Sequence, residues 1–127
     1  MTFLLDTSVL IDTLRFRNGR KELLAGFVND GHRLTTTAIN IAEVYAGIRS
    51  GEEQRTTLFL DSLECYTIDA AAGEHAGGLR NFWAKKGRVI ALPDIIVAAI
   101  AIEQGCTLLT DNRRDFPMPE LKLYPLP

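Results

Sequence analysis

Residues 2–14 read TFLLDTSVLIDTL, and this stretch decides the fold. Thr2 to Leu5 is an apolar run too short for a helix, and it ends abruptly at Asp6. From Thr7 the apolar residues change to helical spacing, with Val9, Leu10 and Leu14 on one side. A strand that hands over directly to a helix opens a βα unit, and the same alternation continues outward from it. Arg20 to Asn29 carries Leu23, Leu24, Phe27 and Val28 as a helical stripe stopped by Gly31, and the β-branched run Arg33 to Thr36 predicts a second strand. Next comes a helix with Ile41, Val44, Tyr45 and Ile48 on one face, stopped by Gly51, which carries Glu43.

Glu52 to Leu63 reads as a further helix, Cys65 to Ile68 as a third strand, and Asp69 to Lys86 as a long helix. Val89 to Leu92 is expected to be extended, Pro93 to open a helix reaching Gln104, and Thr107 to Leu109 to form a strand ending at Thr110. Lys122 to Tyr124, flanked by prolines, fits an edge strand. The pattern predicts an α/β fold: a doubly wound, mainly parallel sheet flanked by helices on both faces. With no internal repeat or linker, residues 1–127 read as a single domain.

Composition bounds the function. With 46% apolar and 24% charged residues the chain is expected to pack a core, and a formal charge of −2 excludes nucleic-acid binding through bulk basicity. Any polyanion must be met locally. No apolar run approaches the roughly 20 residues of a membrane span, and the start lacks a basic leader, so a soluble, unprocessed, cytoplasmic protein is expected. Cys65 and Cys106 show no metal-ligand or redox spacing and are expected as buried thiols.

Chemistry is sought among acids that interrupt apolar sequence or end an element: Asp6, Glu43, Asp94, Asp111 and Asp115. In a doubly wound sheet the carboxyl ends of the strands line the ligand crevice, and Asp6 follows FLL while Asp111 and Asp115 follow TLLT. Asp94 follows Pro93 in the first turn of an apolar helix, and Glu43 lies between Ile39 and Ala46, an apolar flank on which a solvated glutamate is out of place. Two unit charges about 4 Å apart repel by roughly 4 kcal/mol at an effective dielectric near 20. If these acids share one crevice, either some are protonated or a divalent cation holds them; an all-oxygen set favours Mg²⁺ or Mn²⁺ over zinc.

Four ordered motifs, LLDTSVLID, NIAEVYAGI, LPDIIVAAIA and TLLTDNRRDF, together resemble the PIN-domain ribonucleases, specifically the VapC-type toxins of toxin–antitoxin pairs. The resemblance covers nearly the whole chain and implies a metal-dependent endoribonuclease, usually a homodimer. It places Asp6 and Asp94 as the most regular metal ligands and Glu43 as the glutamate of the central helix. For the fourth acid it favours Asp115, with Asp111 as second choice, because the TxDxDF position is here Asn112. Ser8 and Thr110 match hydroxyl positions that orient the carboxylates. It also implies a small antitoxin whose tail covers the pocket with a basic side chain.

Hydrolysis by a carboxylate-held cation needs no histidine, and it leaves 5′-phosphate and 3′-hydroxyl ends. His32 and His75 are therefore given no part in it. With Asp6, Glu43, Asp94 and Asp115 neutralised by metal, 14 basic side chains face 12 acidic ones, so RNA can approach. Arg113 and Arg114 are candidate phosphate contacts, with Arg15, Arg17 and Arg20 a second basic group. Two other classes stay open on the residues alone: a phosphatase-like enzyme phosphorylated on Asp6, against which Ser8 argues, and a non-catalytic acidic pocket that receives a partner's basic side chain.

Overall fold

In the computed structural model, which describes residues 1–127, the alternation of period 2 along the first strand sets the layers. In β1 (Thr2–Leu5), Phe3 and Leu5 face one apolar cluster and Leu4 faces the other, all three buried. Helices therefore cover both sides of the sheet. On one side pack α1 (Thr7–Leu14), α2 (Arg20–Asn29) and inward residues of α3 (Ala38–Ala46) and α4 (Glu53–Asp61). On the other pack α5 (Ala70–Lys85) and α6 (Leu92–Gln104).

The remaining strands are β2 (Arg33–Thr37), β3 (Glu64–Tyr66), β4 (Thr107–Leu109) and β5 (Lys122–Leu123). Their spatial order is β3-β2-β1-β4-β5, and every neighbouring pair is parallel. The chain winds outward from β1 in one direction and returns to its other edge with β4, so the winding reverses between these two strands. Such a reversal opens a crevice beyond their carboxyl ends. Asp6 and the segment after Leu109 sit at that crevice, tied together by the Asp6 N–H donating to the Leu109 carbonyl at 3.0 Å.

The α6 segment is apolar on every side because it is buried on nearly every side: Ile95 and Val97 to Ala101 are all buried, and Gly105, at φ 66, ends it in the left-handed conformation. That burial fixes Asp94 in its first turn against the sheet. No helix is long and apolar enough to cross a membrane.

Some expectations are corrected. The third helix ends at Ala46, where the Gly47 N–H donates to the Val44 carbonyl, so Ile48 and Gly51 lie beyond it. Val89 to Ala91 join no ladder, since they only connect α5 to α6, and Leu92 already belongs to the helix. Cys65 is exposed, because β3 is a three-residue edge strand with an open face; Cys106 alone is buried.

Candidate metal-binding acidic site

Asp6 is 5% exposed at the position that precedes α1, yet its side chain makes no capping bond to the helix. Its carboxylate turns to neighbouring elements instead. Thr110 Oγ1, at the end of β4, donates to Oδ2 at 2.7 Å, and Asn40 Nδ2, from α3, donates to Oδ1 at 3.2 Å. Burial pushes the Asp6 carboxyl above its ordinary value, and the charge of Glu43 adds to the rise. Bonds from Thr110, the Thr7 amide and Asn40 pull the other way.

Glu43 stands on α3 and is exposed rather than set into an apolar flank, because α3 turns this face toward the crevice and Ala46 beside it is also exposed. Thr7 Oγ1 donates to its Oε1 at 2.7 Å. Asp94 is half-buried, and its carboxyl is pushed up to about 6, first by burial and then by the charges of Asp6, Asp115 and Glu43. Asp115 ends a short 3-10 turn, Arg113–Asp115, and is exposed. The four acids named from the sequence therefore act on one another although they lie on four separate elements.

Asp111 is placed differently. Its carboxylate takes a 2.8 Å ion pair from Arg20, a guanidinium that is itself 3% exposed, and it is absent from the charges that raise Asp94. Ser8 Oγ accepts from the Asp111 amide at 3.3 Å, so this hydroxyl holds the loop rather than a carboxylate. Thr110 does orient a carboxylate, and it also accepts the Asn112 amide at 3.0 Å. Of the basic group after Asp6, Arg15 pairs with Glu52 and Arg20 with Asp111. Arg113 and Arg114 are exposed, and Arg113 donates to the Tyr124 carbonyl at 3.1 Å.

Three polar residues, Asn40, Thr37 and Thr7, escaped the sequence reading. Asn40 is fully buried within α3, and its amide orientation is fixed by its partners. Thr37 Oγ1 accepts the Asn40 backbone amide at 3.4 Å and donates its one proton to Asn40 Oδ1 at 2.6 Å. Asn40 Nδ2 is left facing Asp6 Oδ1 and, at 3.0 Å, Thr7 Oγ1, which in turn donates to Glu43. Protons are thus donated in one direction, from Thr37 through Asn40 and Thr7, and the chain ends on two carboxylates. The signal was available in sequence: Asn40 is the one amide in AINIAEV and lies three residues before Glu43, on the same helix face.

The donors converging here are all oxygen, the set that suits a hard divalent cation. As the side chains stand, no three of His, Cys, Asp or Glu close on a common point at ligating distance. An apolar groove of about 500 Å³ lies elsewhere, with Leu24, Val28 and Phe59 in its lining and Lys21 and Arg55 at Phe16.

Comparison with known proteins identifies the family. The PIN domain family model matches residues 3–118. Ribonuclease VapC19 of Mycobacterium tuberculosis is 30% identical over 120 residues, which span 94% of this chain and 96% of that protein. Ribonuclease VapC2 of Haemophilus influenzae is 29% identical over 121 residues, 91% of this chain and 90% of that one. Among solved structures, VapBC2 from Rickettsia felis bound to a DNA fragment from its promoter aligns with a TM-score of 0.84 at 25% identity, covering 98% of each chain. The chain belongs to the PIN-domain family, among the VapC ribonucleases.

Proposed function

We propose that residues 1–127 act as one nuclease domain, a metal-dependent endoribonuclease and the toxin of a toxin–antitoxin pair. Asp6, Glu43, Asp94 and Asp115 would hold Mg²⁺ or Mn²⁺. The observation that carries this reading is the buried Asp6 carboxylate, held by Thr110 and Asn40 and linked through Asn40 and Thr7 to Glu43, with Asp94 pushed up to about 6 by burial and by the charges of the other three acids. A bound cation relieves such a concentration of negative charge.

When bound, the cation supplies Lewis-acid activation of water and stabilisation of charge on the phosphoryl oxygens. The protein's own part is positional. Thr110 and Asn40 donate to Asp6 and favour its charged form, partly offsetting its burial, and Thr7 aims Glu43. The exposed Arg113 and Arg114 flank Asp115 and suit the phosphates of an approaching RNA strand. The histidines do not serve: His75 is paired with Glu103 between α5 and α6, and His32 packs against Phe3 and Phe27.

An antitoxin partner is supported by relatives solved as toxin–antitoxin complexes, and a homodimer is kept as part of the family reading. The apolar groove near Phe16, with its two cations, suits an apolar antitoxin segment carrying carboxylates.

The test incubates purified protein with total RNA and Mg²⁺ or Mn²⁺, with and without EDTA, and maps the ends produced. Cleavage should need the cation, leave 5′-phosphate and 3′-hydroxyl ends, and vanish in Asp6→Asn and Asp94→Asn while circular dichroism shows both folded. EDTA-resistant cleavage, or cyclic-phosphate ends, would refute the reading.

A further inference from the structure

Of the charged side chains only Asp6 and Arg20 are buried, and Arg20 has no part in the acid site described above. It opens α2, and its guanidinium is expensively placed. NH2 donates to Asp111 Oδ1 at 2.8 Å, NH1 to the Asn18 carbonyl at 3.0 Å, and both reach the Pro127 carbonyl at 3.4 Å, while Nε is buried with no partner. A cation buried with one N–H unsatisfied disfavours the fold unless something else is gained. The gain is sought in what Asp111 is attached to.

Asp111 belongs to the short link between β4 and the 3-10 turn that ends at Asp115. The near side of this link is tied to the acid site, by Thr110 to Asp6 and by the Asp111 amide to Ser8. Farther along, the loop is tied through the Asp111 carboxylate to Arg20 and, past the link, by Arg113 to the Tyr124 carbonyl and by the buried Phe116. The Asp115 side chain, by contrast, has no hydrogen bond or ion pair of its own; only its amide is held, donating to the Asn112 carbonyl at 3.0 Å. Its direction is therefore set by the course of the backbone that carries it.

We propose that Arg20 and Asp111 form a clamp that positions Asp115: the buried guanidinium draws the first acid of the loop toward α2 and thereby leaves the second facing the metal. This rests on Asp115 being the fourth acid. Both clamp members are positioning residues, acting through the loop backbone and touching neither metal nor RNA. Two carboxylates within one short loop are thus given different work by one cation.

The test is a set of double-variant cycles read as Mn²⁺ affinity, by electron paramagnetic resonance of free Mn²⁺ on RNA-free protein. Arg20→Met with Asp111→Leu removes both charges together, so no unpaired ion is left buried and the fold is retained. This pair variant should bind Mn²⁺ about tenfold more weakly, the range found when groups that orient ligands are lost. Asp115→Asn should cost about tenfold or more in the unaltered chain but less than about twofold on top of the pair variant, because its contribution is already gone. Glu43→Gln, on another element, should keep its full penalty in both backgrounds. A pair variant that binds like the parent, an Asp115→Asn penalty that survives in it, or a Glu43 penalty that shrinks equally would overturn the clamp. If the pair variant melts below the assay temperature, Arg20→Leu with Asp111→Ala, which likewise leaves no buried ion unpaired, carries the same cycle. Should Asp115→Asn be silent in the unaltered chain, the reading of Asp115 as a ligand fails, and the clamp with it; a costly Asp115→Asn beside an inert pair variant fails the clamp alone.

Discussion

Asn40 offers the sharpest probe of how the acid site is built. Replacing it by Leu keeps the branching and heavy-atom count of a fully buried side chain, with somewhat larger methyl groups, and suits a helix interior. It removes the 3.2 Å bond to Asp6 Oδ1 and the 3.0 Å bond to Thr7 Oγ1, and it leaves the Thr37 hydroxyl proton without its 2.6 Å acceptor. A hydrogen bond to a charged group contributes about 1.5–3 kcal/mol, and a neutral one about 1 kcal/mol. Asp6 would keep Thr110 and the Thr7 amide and lose Asn40, so its carboxyl, already raised by burial, would rise further.

Cation binding requires Asp6 ionised and in place, so the charged bond should appear in metal affinity. A loss of about 1.5–3 kcal/mol is about 10- to 100-fold in Mn²⁺ dissociation constant. Asn40→Asp should lose more, since it keeps the shape, removes both donors and sets another carboxylate beside Asp6. The assay is Mn²⁺ titration by electron paramagnetic resonance, with urea unfolding to confirm that each variant is folded. Affinity within about twofold of the parent in a folded Asn40→Leu would show that Thr110 and the Thr7 amide suffice to hold Asp6, and the directional chain from Thr37 would then carry no functional weight.

Other outcomes follow from the same geometry. The folded-state carboxyl of Asp94 lies near 6, above its ordinary 3.8, so between these values the folded state binds more protons than the unfolded one. Metal-free stability should therefore fall as pH rises through roughly 4 to 6, by about 1–2 kcal/mol once its partial exposure is discounted. Thermal melts in EDTA at constant ionic strength check this, and Asp94→Asn should flatten the slope and raise stability at pH 7.5. Mn²⁺ affinity should move oppositely, strengthening as pH rises through the same range. Arg20→Met alone strands the Asp111 carboxylate beside an apolar side chain and should destabilise by about 2–4 kcal/mol in urea, whereas adding Asp111→Leu should restore most of that; no recovery would mean that Arg20 matters through packing and not charge. Arg113→Ala with Arg114→Ala should leave Mn²⁺ binding unchanged and lower the salt dependence of RNA affinity by about 1.4 in log–log slope, two phosphate contacts' worth on a single strand. An unchanged slope would take both arginines off the RNA path.

The fold was legible because its signals are local. The switch from period 2 to helical spacing at Asp6 marks the first βα unit, and the uniformly apolar α6 announces a helix buried against the sheet. The acids were legible because burial makes a charged residue conspicuous in apolar sequence: Asp6 after FLL and Asp94 before IIVAAIAI are out of place unless they are used. What escaped is what depends on pairing between distant elements. The motif ranks Asp115 ahead of Asp111, yet composition and burial do not separate two polar residues of one loop; the contact with a guanidinium 91 positions away in the chain gives Asp111 a different partner. Asn40 escaped for the converse reason, since one amide in a helix reads as an exposed polar residue until Thr37, Thr7 and Asp6 are seen around it. Ser8 is expected beside a carboxylate and its oxygen accepts an amide, because a hydroxyl donates and accepts with equal ease and only its neighbours decide which. Sequence thus exposes groups that violate a local rule, as an acid among apolar residues does. The groups that make those violations tolerable obey every local rule and come into view only when the chain is folded.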